Sequence, residues 1–392
     1  MSSFFKKIIA PTVVLVAVYG MIQVRVGVDS SQRAPEGSAS STVSTDIAPP
    51  TVSSTVVAHV PLPEEVRGFY WTGYTAGSSR VTSLLAYASS SHLNTVVIDA
   101  KMDGGELSFK PYDAALHDAA PKYPAIKDLD GLLLRLKAQG MYRIARVVVM
   151  QDGLFGSLHP KTLLRYANGG VWRDNRRMIW VDPAALEVAE YAVLLATELY
   201  ARGFDEIQFD YVRFPSDGRL SLIKYPVYDG KLSKSDVMKA FFENTGGVLK
   251  KKGIPVSFDV FGLTYWNDEG LGIGQRFSDV YPNADAVSPM VYPSHYYRGF
   301  EGFVNPALYP YEVIKRTMDK GIQTLQIQDP AIDPVIARKK SRPWIQDFNM
   351  GATYDAAKIM AQIKAVRDTG GSGWMLWNAR NVYTPTVYGV EK

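Results

Sequence analysis

The 392-residue sequence contains no cysteine, which excludes disulfide bonds, thiolate nucleophiles and cysteine-ligated zinc or iron–sulfur sites. Its five histidines form neither an H-x-H nor an H-E-x-x-H pair, so a histidine-rich metal hydrolase is disfavoured. The sequence also lacks a G-x-S-x-G nucleophile elbow and a G-K-[ST] phosphate loop. We therefore expect no metal, no cofactor and no serine-hydrolase chemistry.

A strong charge bias is also missing. Lysine and arginine (43) exceed aspartate and glutamate (39) by only four, whereas nucleic-acid binding usually shows a concentrated basic face. The composition is that of a globular protein, with 46% hydrophobic and 21% charged residues. Aromatic residues reach 12%, including 23 tyrosines, and flat rings suit a saccharide-binding cleft.

Three segments are predicted along the chain. Residues 1–26 indicate a cytoplasmic stub and a signal-anchor helix, because Lys6 and Lys7 precede an apolar run over residues 8–22. No A-x-A site follows, which favours an uncleaved anchor and an extracytoplasmic globular part over cleavage and secretion. Residues 27–62 are rich in Ser, Thr and Pro and predict a linker. Residues 63–392 predict the globular domain.

The globular part alternates short β-rich runs with helical patterns. Five glycines are predicted to end helices just before the next strand: Gly140, Gly203, Gly253, Gly321 and Gly370. Short connections before strands and long ones after them favour a single (β/α)8 TIM-type barrel. A doubly wound sheet is the alternative, disfavoured because no G-x-G-x-x-G follows the first strand. The predicted strands occupy residues 68–74, 94–101, 142–152, 205–214, 255–263, 285–292, 342–349 and 371–379.

Carboxylates recur near the ends of these strands, on the side predicted to face the barrel axis. Alternation places Asp210 on that side of the fourth strand and Asp259 on that side of the fifth. In the second strand Asp99 and Lys101 share a face, and Tyr292 ends the inward set of the sixth. A charge inside a barrel costs several kcal/mol unless it is paired or hydrated, so we expect these groups to have a use or partners.

Hydrolysis of a glycosidic bond needs one protonated and one ionised carboxyl group. Neighbouring barrel strands hold such groups roughly 5–9 Å apart, which predicts Asp210 and Asp259 as the catalytic pair and leaves open which is the acid. Arg213 is expected to keep one carboxylate ionised or to bind substrate, and Tyr292 to donate a hydrogen bond. The structural alternatives are a salt bridge between Asp210 and Arg213, and a loop-capping role for Asp259.

Further substrate-binding groups are expected around this pair. Asp99 and Lys101 would bind substrate or form an ion pair beside the site. Trp71 and Trp377 are candidate stacking platforms, although a single tryptophan is more often part of a core. Trp377 is the better candidate, since it precedes Asn378 on the last strand.

Several segments together resemble a bacterial family of glycoside hydrolase barrels long listed as a domain of unknown function. The resemblance covers residues 66–388, and its most specific segments are FDYVRFP and SPMVYPSHY. It implies a (β/α)8 fold and carbohydrate hydrolysis, and its motif positions here are Asp210, Arg213, Asp259 and Tyr292.

The sequence therefore predicts a membrane-tethered glycosidase acting on a cell-surface or exported polysaccharide. The alternative is a non-catalytic glycan-binding or envelope-organising module. Aspartates at both proposed positions favour that alternative, because many retaining barrels carry at least one glutamate there.

Overall fold

The computed structural model describes residues 58–388, in which eight parallel strands pair in sequence order and close into a barrel. This confirms the predicted (β/α)8 class. Seven strands lie within their predicted runs, and the first overlaps its run but begins two residues earlier. The strands are β1 (Val66–Trp71), β2 (Thr95–Lys101), β3 (Tyr142–Val148), β4 (Glu206–Asp210), β5 (Val256–Phe261), β6 (Ala286–Met290), β7 (Trp344–Gln346) and β8 (Gly373–Trp377).

Helices connect successive strands and form the outer layer. They are α1 (Gly73–Ala76), α2 (Arg80–Ser91), α3 (Leu129–Ala138), α4 (Gly153–Leu158), α5 (Leu186–Arg202), α6 (Lys234–Phe242), α7 (Val248–Lys251), α8 (Phe277–Val280), α9 (Pro310–Gln328), α10 (Pro334–Lys340) and α11 (Ala356–Asp368). The predicted anchor and nearly all of the predicted linker lie outside the described residues. Within residues 58–388, no helix has both the length and the apolar character needed to cross a bilayer.

Glycines end helices at four of the five predicted positions. Gly140, Gly203, Gly253 and Gly370 all have positive φ, a conformation that costs glycine nothing. The prediction for Gly321 was wrong, because α9 continues past it to Gln328. A Cβ at residue 321 would lie 2.0 Å from the Tyr265 ring, so close packing accounts for this glycine.

Two separate sets of side chains fill the two sides of the sheet. Outward residues such as Phe209 and Phe258 stack on each other (ring centroids 5.6 Å apart) in the large core beneath the helices. Inward residues form a smaller cluster along the axis, including Val97, Ile144 and Met375. The alternation predicted for β4 and β5 is thus confirmed.

A polar layer lies at the beginning of the strands, inside the barrel. Glu206 accepts hydrogen bonds from Ser257 Oγ (2.5 Å) and Tyr142 Oη (3.2 Å), and it is paired with Arg342. All four side chains are buried. This layer is separate from the second polar cluster, which lies where the strands end.

Candidate active site

The second cluster is built around Arg146, an inward residue of β3 that is 3% exposed. Its Nε and Nη2 both donate to Asp210 Oδ2, at 3.0 and 2.6 Å. Its Nη1 donates to Asp99 Oδ1 at 2.6 Å. One guanidinium therefore bridges the carboxylates of β2 and β4. Burial lowers the pKa of Arg146, but the charges of Asp99 and Asp210 raise it by a larger amount. The pKa therefore lies above its usual range, and the guanidinium stays charged.

Asp210 is held at the end of β4 by a bend in the backbone. The next residue, Tyr211, has a φ of 55°, in the left-handed region that costs a non-glycine residue about 1 kcal/mol. This conformation turns the Tyr211 amide onto Asp210 Oδ1, at 2.6 Å. With Arg146 on one oxygen and this amide on the other, both oxygens of Asp210 accept charge-stabilising hydrogen bonds.

Asp259 lies beside Asp210 but has a different environment. Phe209 pairs with Phe258 in the β4–β5 register, so the two aspartates are the next residues on strands about 4.8 Å apart. Asp259 is 1% exposed and accepts a hydrogen bond from Trp344 Nε1 at 2.7 Å. No cation pairs with it among the described residues. Burial, and then the charge of Asp210, raise the pKa of Asp259 well above its usual range.

Asp99 is a third carboxyl group with a perturbed pKa. Tyr70 Oη donates to its Oδ2, while Arg146 occupies its Oδ1. Burial raises the pKa of Asp99 to about 6, although Arg146 and the Tyr70 hydrogen bond act in the opposite direction. A group with this pKa changes its charge in the range where many enzymes work.

Aromatic rings border the cluster. Trp377 is half-buried and stacks on Tyr70, with centroids 4.2 Å apart and ring planes 24° apart. The Arg146 guanidinium lies 5.4 Å from the Trp377 ring centroid. Tyr292 lies near both catalytic candidates: burial, followed by the charges of Asp259 and Asp210, raises the pKa of its hydroxyl. Of the predicted aromatic groups, Trp377 and Tyr292 are thus brought to the carboxylates.

Arg213 is not the partner of Asp210. It donates to the Phe214 carbonyl and to Ser216 Oγ, both at 3.1 Å, and its guanidinium is 4.7 Å from the Phe261 ring centroid. Burial lowers the pKa of Arg213. The structural alternative of a salt bridge between Asp210 and Arg213 is therefore wrong, since Arg146 takes that position.

Lys101 and Trp71 are directed away from the cluster. The β2–β3 register shifts between Asp99 and Lys101, so the simple alternation breaks and the two side chains do not share a face. Lys101 is instead paired with buried Asp152 and lies 5.0 Å from the Tyr191 ring of α5. Trp71 is fully buried in the outer core. Neither the axis-facing position predicted for Lys101 nor an accessible platform at Trp71 is found.

Asn378 also has a local structural environment. Its Nδ2 donates to the carbonyls of Asp347 and Val382, and its Oδ1 accepts from the Arg380 amide at 3.0 Å. The side chain is 5% exposed. Its amide group therefore bonds within the loop after β8 and not to the carboxylate cluster.

Two central residues were missed from the sequence: Arg146 and Tyr70. Arg146 carried a usable signal, because it is a charged residue in the apolar run YRIARVVV and shares the axis-facing side of the strand with Ile144. Tyr70 carried none, since an aromatic residue in a barrel strand suits either face. Within residues 58–388, no group of three or more His, Asp or Glu side chains is arranged to hold a metal ion.

Comparison with known proteins identifies a family for this chain. A family model described as a putative glycosyl hydrolase domain matches residues 68–383. No curated protein is similar enough in sequence to count as a relative.

Several solved structures are similar to this chain, and the first of those named here shares its fold. The glycoside hydrolase domain of PgaB (BpsB) from Bordetella bronchiseptica has a TM-score of 0.55 and 12% identity, covering 81% of this chain and 94% of that one. A hypothetical protein from Ruminiclostridium thermocellum is 28% identical, with a TM-score of 0.43, over 49% of this chain and 97% of that one. The catalytic domain of a chitinase from Pyrococcus furiosus is 12% identical, with a TM-score of 0.46, over 82% and 85%.

Proposed function

The chain belongs to this family of glycosyl hydrolase domains, and from that premise we propose that it cleaves glycosidic bonds with the carboxyl pair Asp210 and Asp259. The observation that carries the proposal is the contrast between the two groups. Asp210 accepts two hydrogen bonds from Arg146, whereas Asp259 has no cationic partner among the described residues. The reaction requires one carboxyl group that can donate a proton beside one whose negative charge is stabilised by hydrogen bonds.

Asp259 is the general acid in this mechanism. Burial and the neighbouring charge of Asp210 favour its protonated form, which can donate a proton to the leaving glycosidic oxygen. Trp344 Nε1 fixes the orientation of the carboxyl group by donating to Oδ1, so Oδ2 is the oxygen that carries the proton.

Asp210 is the ionised partner. Arg146 and the Tyr211 amide stabilise its negative charge. The carboxylate would act on the face of the sugar opposite Asp259, either as the nucleophile or as the base that activates water. Positive charge develops on the sugar ring in the transition state, and a fixed carboxylate stabilises it electrostatically. Trp377, half-buried and stacked on Tyr70, serves as the platform for the sugar ring.

The substrate we propose is a cell-surface or exported polysaccharide, reached by an enzyme tethered through residues 1–26. Support comes from the sequence: two lysines before an apolar run, followed by a Ser/Thr/Pro-rich linker. The test compares the full chain with a chain lacking residues 1–26. The full chain should stay with carbonate-washed membranes and be digested by external protease, and the shortened chain should do neither. Recovery of the full chain in the soluble fraction at reduced mass would favour a cleaved signal instead.

The catalytic proposal is tested by substitution. After a screen of the full chain against bacterial exopolysaccharides, Asp210→Asn and Asp259→Asn should each lower kcat on a cleaved glycan by about 100-fold or more. The control is Asp347→Asn, at a buried carboxylate that bonds to Thr384 rather than to the cluster. It should retain activity, and all three variants should melt cooperatively. Full activity in both cluster variants would overturn the assignment.

A non-catalytic glycan-binding barrel is the second candidate, and the Arg146 bridge is the observation that favours it. A carboxylate bonded twice to a buried arginine is less available as a nucleophile. For this candidate, calorimetry would detect oligosaccharide binding that Trp377→Ala weakens, while long incubation would yield no shortened product. Detection of product by chromatography would exclude it.

A further inference from the structure

A cavity of about 400 Å³ lies on the outer side of the barrel. It is formed by the segment after β2, the first turn of α3 and the last turn of α5. Its volume is in the range of ligand sites in proteins. None of the described residues that line the cavity is bonded to the carboxylate cluster. The lining residues used below are Lys110, Tyr112, His117, Lys127 and Arg202.

The Tyr112 ring is fixed in place although it is 69% exposed. Its hydroxyl donates to Asp130 Oδ2, and its backbone amide donates to Glu198 Oε1 at 2.8 Å. The Arg202 guanidinium carbon lies 3.9 Å from the ring centroid and thus covers one face. Arg202 Nε in turn donates to Asp130 Oδ1 at 2.6 Å, so the cation and the ring share one carboxylate. The other ring face is left open to solvent.

The lysine side chains that line this cavity are free hydrogen-bond donors. Asp130 is occupied by Tyr112 and Arg202, and Asp128 Oδ1 accepts from the Gly131 amide at 2.9 Å as the cap of α3. Within residues 58–388, the side chains of Lys110, His117 and Lys127 have no hydrogen-bond or ion-pair partner. An occupant should therefore present a flat apolar face to Tyr112 and acceptor oxygens to the lysines.

We propose that this cavity is a second, non-catalytic saccharide-binding site, with a sugar ring stacked on Tyr112 and its oxygens bonded to Lys110 and Lys127. A pyranose ring has an apolar C–H face and a rim of oxygens, which matches the groups left free. The class of ligand rests on the proposed function. Such a site holds a long polysaccharide on the enzyme at a distance from the catalytic cluster and raises the effective concentration of bonds to cleave.

A purely structural role for these residues accounts for only part of the arrangement. Glu198 and Arg202 tie the segment after β2 to α5 through backbone groups of residues 110, 112 and 113, and the Tyr112 side chain adds its bond to Asp130 and its contact with Arg202. A structural role does not require an aromatic ring that is 69% exposed, nor two unpaired lysines beside it. Tyr123 is a matched control, because it is an exposed tyrosine (81%) of the same segment that does not line the cavity.

The test is ¹⁹F NMR of the full chain with 3-fluorotyrosine, in a detergent without a sugar headgroup. The Asp210→Asn background prevents turnover, and Tyr112→Phe and Tyr123→Phe assign the two signals. The probes are chitohexaose, which is neutral, and hexagalacturonate, which bears carboxylates. At least one should shift the Tyr112 signal saturably while the Tyr123 signal stays unchanged, and the dissociation constant read from that shift should increase about tenfold in Lys110→Ala/Lys127→Ala.

The proposal is overturned if neither probe moves the Tyr112 signal, or if both tyrosine signals move alike. If Tyr112→Ala lowers the melting temperature while neither probe shifts the Tyr112 signal of the protein that keeps this residue, these residues have a structural role only. That outcome would also overturn the proposal. Because binding is read from the Tyr112 signal and not from product, the result is independent of whether Asp210 and Asp259 catalyse hydrolysis. If the catalytic proposal fails but the Tyr112 signal shifts, the protein is a glycan-binding module.

Discussion

At the scale of single residues, Arg146 decides the electrostatics of the candidate site. It is nearly fully buried and bridges Asp99 and Asp210, while Asp259 next to them forms no ion pair within residues 58–388. Three carboxyl groups within one small volume therefore have different partners. This difference arises from the position of a single guanidinium on β3 and from burial.

Replacing Arg146 should lower the stability of the folded protein. In Arg146→Met, Asp99 and Asp210 lose their buried partner, so the free energy of unfolding should fall by about 3–5 kcal/mol at pH 7. The loss should be smaller at pH 4, where the orphaned carboxyl groups can take up protons. Urea denaturation at the two pH values measures both.

Arg176→Met is the matched control, because Arg176 is half-exposed and its contacts to Tyr211 and Asp103 are long, at 3.3 and 3.4 Å. It should change stability by less than about 1 kcal/mol. Equal effects of the two substitutions would show that the bridge does not stabilise the carboxylates.

Asp99 should make stability depend on pH. Its pKa is raised to about 6 in the folded protein, so the folded state holds this proton more tightly than the unfolded chain does. The resulting stabilisation is fully present below about pH 4 and is lost as the pH rises through 6. Asp99→Asn should remove this loss, which amounts to at most ~3 kcal/mol. Denaturation between pH 4 and 7 measures the slope, and Asp268→Asn, at an exposed carboxylate, should leave it as in the parent protein.

At the scale of elements, local departures from regular structure direct the side chains. The register shift in β2 turns Lys101 toward α5 while Asp99 stays at the axis. The left-handed Tyr211 ends β4 and turns its amide onto Asp210. In α9, Gly321 allows the helix to lie directly against Tyr265, whose hydroxyl bonds to Ser341. The contacts of Lys101 with α5 and of Gly321 with Tyr265 join distant segments, which local propensity does not encode.

The packing at Gly321 predicts the effect of adding one methyl group. Alanine favours a helix over glycine by about 1 kcal/mol, but its Cβ would overlap the fully buried Tyr265 ring. Gly321→Ala should therefore destabilise the protein by about 1–3 kcal/mol, as overpacking does. Thermal melting checks this, with the exposed Gln323→Ala on the same helix as control. A rise in melting temperature for Gly321→Ala would mean that Tyr265 can move aside.

At the scale of the whole molecule, the barrel interior carries two polar layers with different tasks. The layer around Glu206 and Arg342 lies where the strands begin, and its hydrogen bonds are satisfied almost entirely within the protein. The layer around Arg146 lies where the strands end, which is the face that carries the active site in barrels of this kind. Apolar side chains such as Val97 and Ile144 form the interior cluster along the barrel axis.

Breaking the first layer should affect stability and not catalysis. Glu206→Gln leaves Arg342 buried without a counter-charge and should cost about 3–5 kcal/mol in the free energy of unfolding. At a temperature where the variant remains folded, its kcat should equal that of the parent protein. Denaturation and kinetics on the same preparation measure both, with the exposed Glu243→Gln as control. A large fall in kcat in the folded variant would show that the two layers are coupled.

The sequence alone was sufficient for the eight strands, the barrel class and the inward positions of Asp210 and Asp259. These features depend on period-two alternation and on glycines at helix ends, which are properties of neighbouring residues along the chain. Only the tertiary structure decided which charges meet: Arg146 bonds to a carboxylate 64 residues away, and Arg213, three residues from it, does not. Likewise Trp71 is buried in the outer core while Trp377 borders the site, because an apolar ring fits either side of a strand and packing alone selects one.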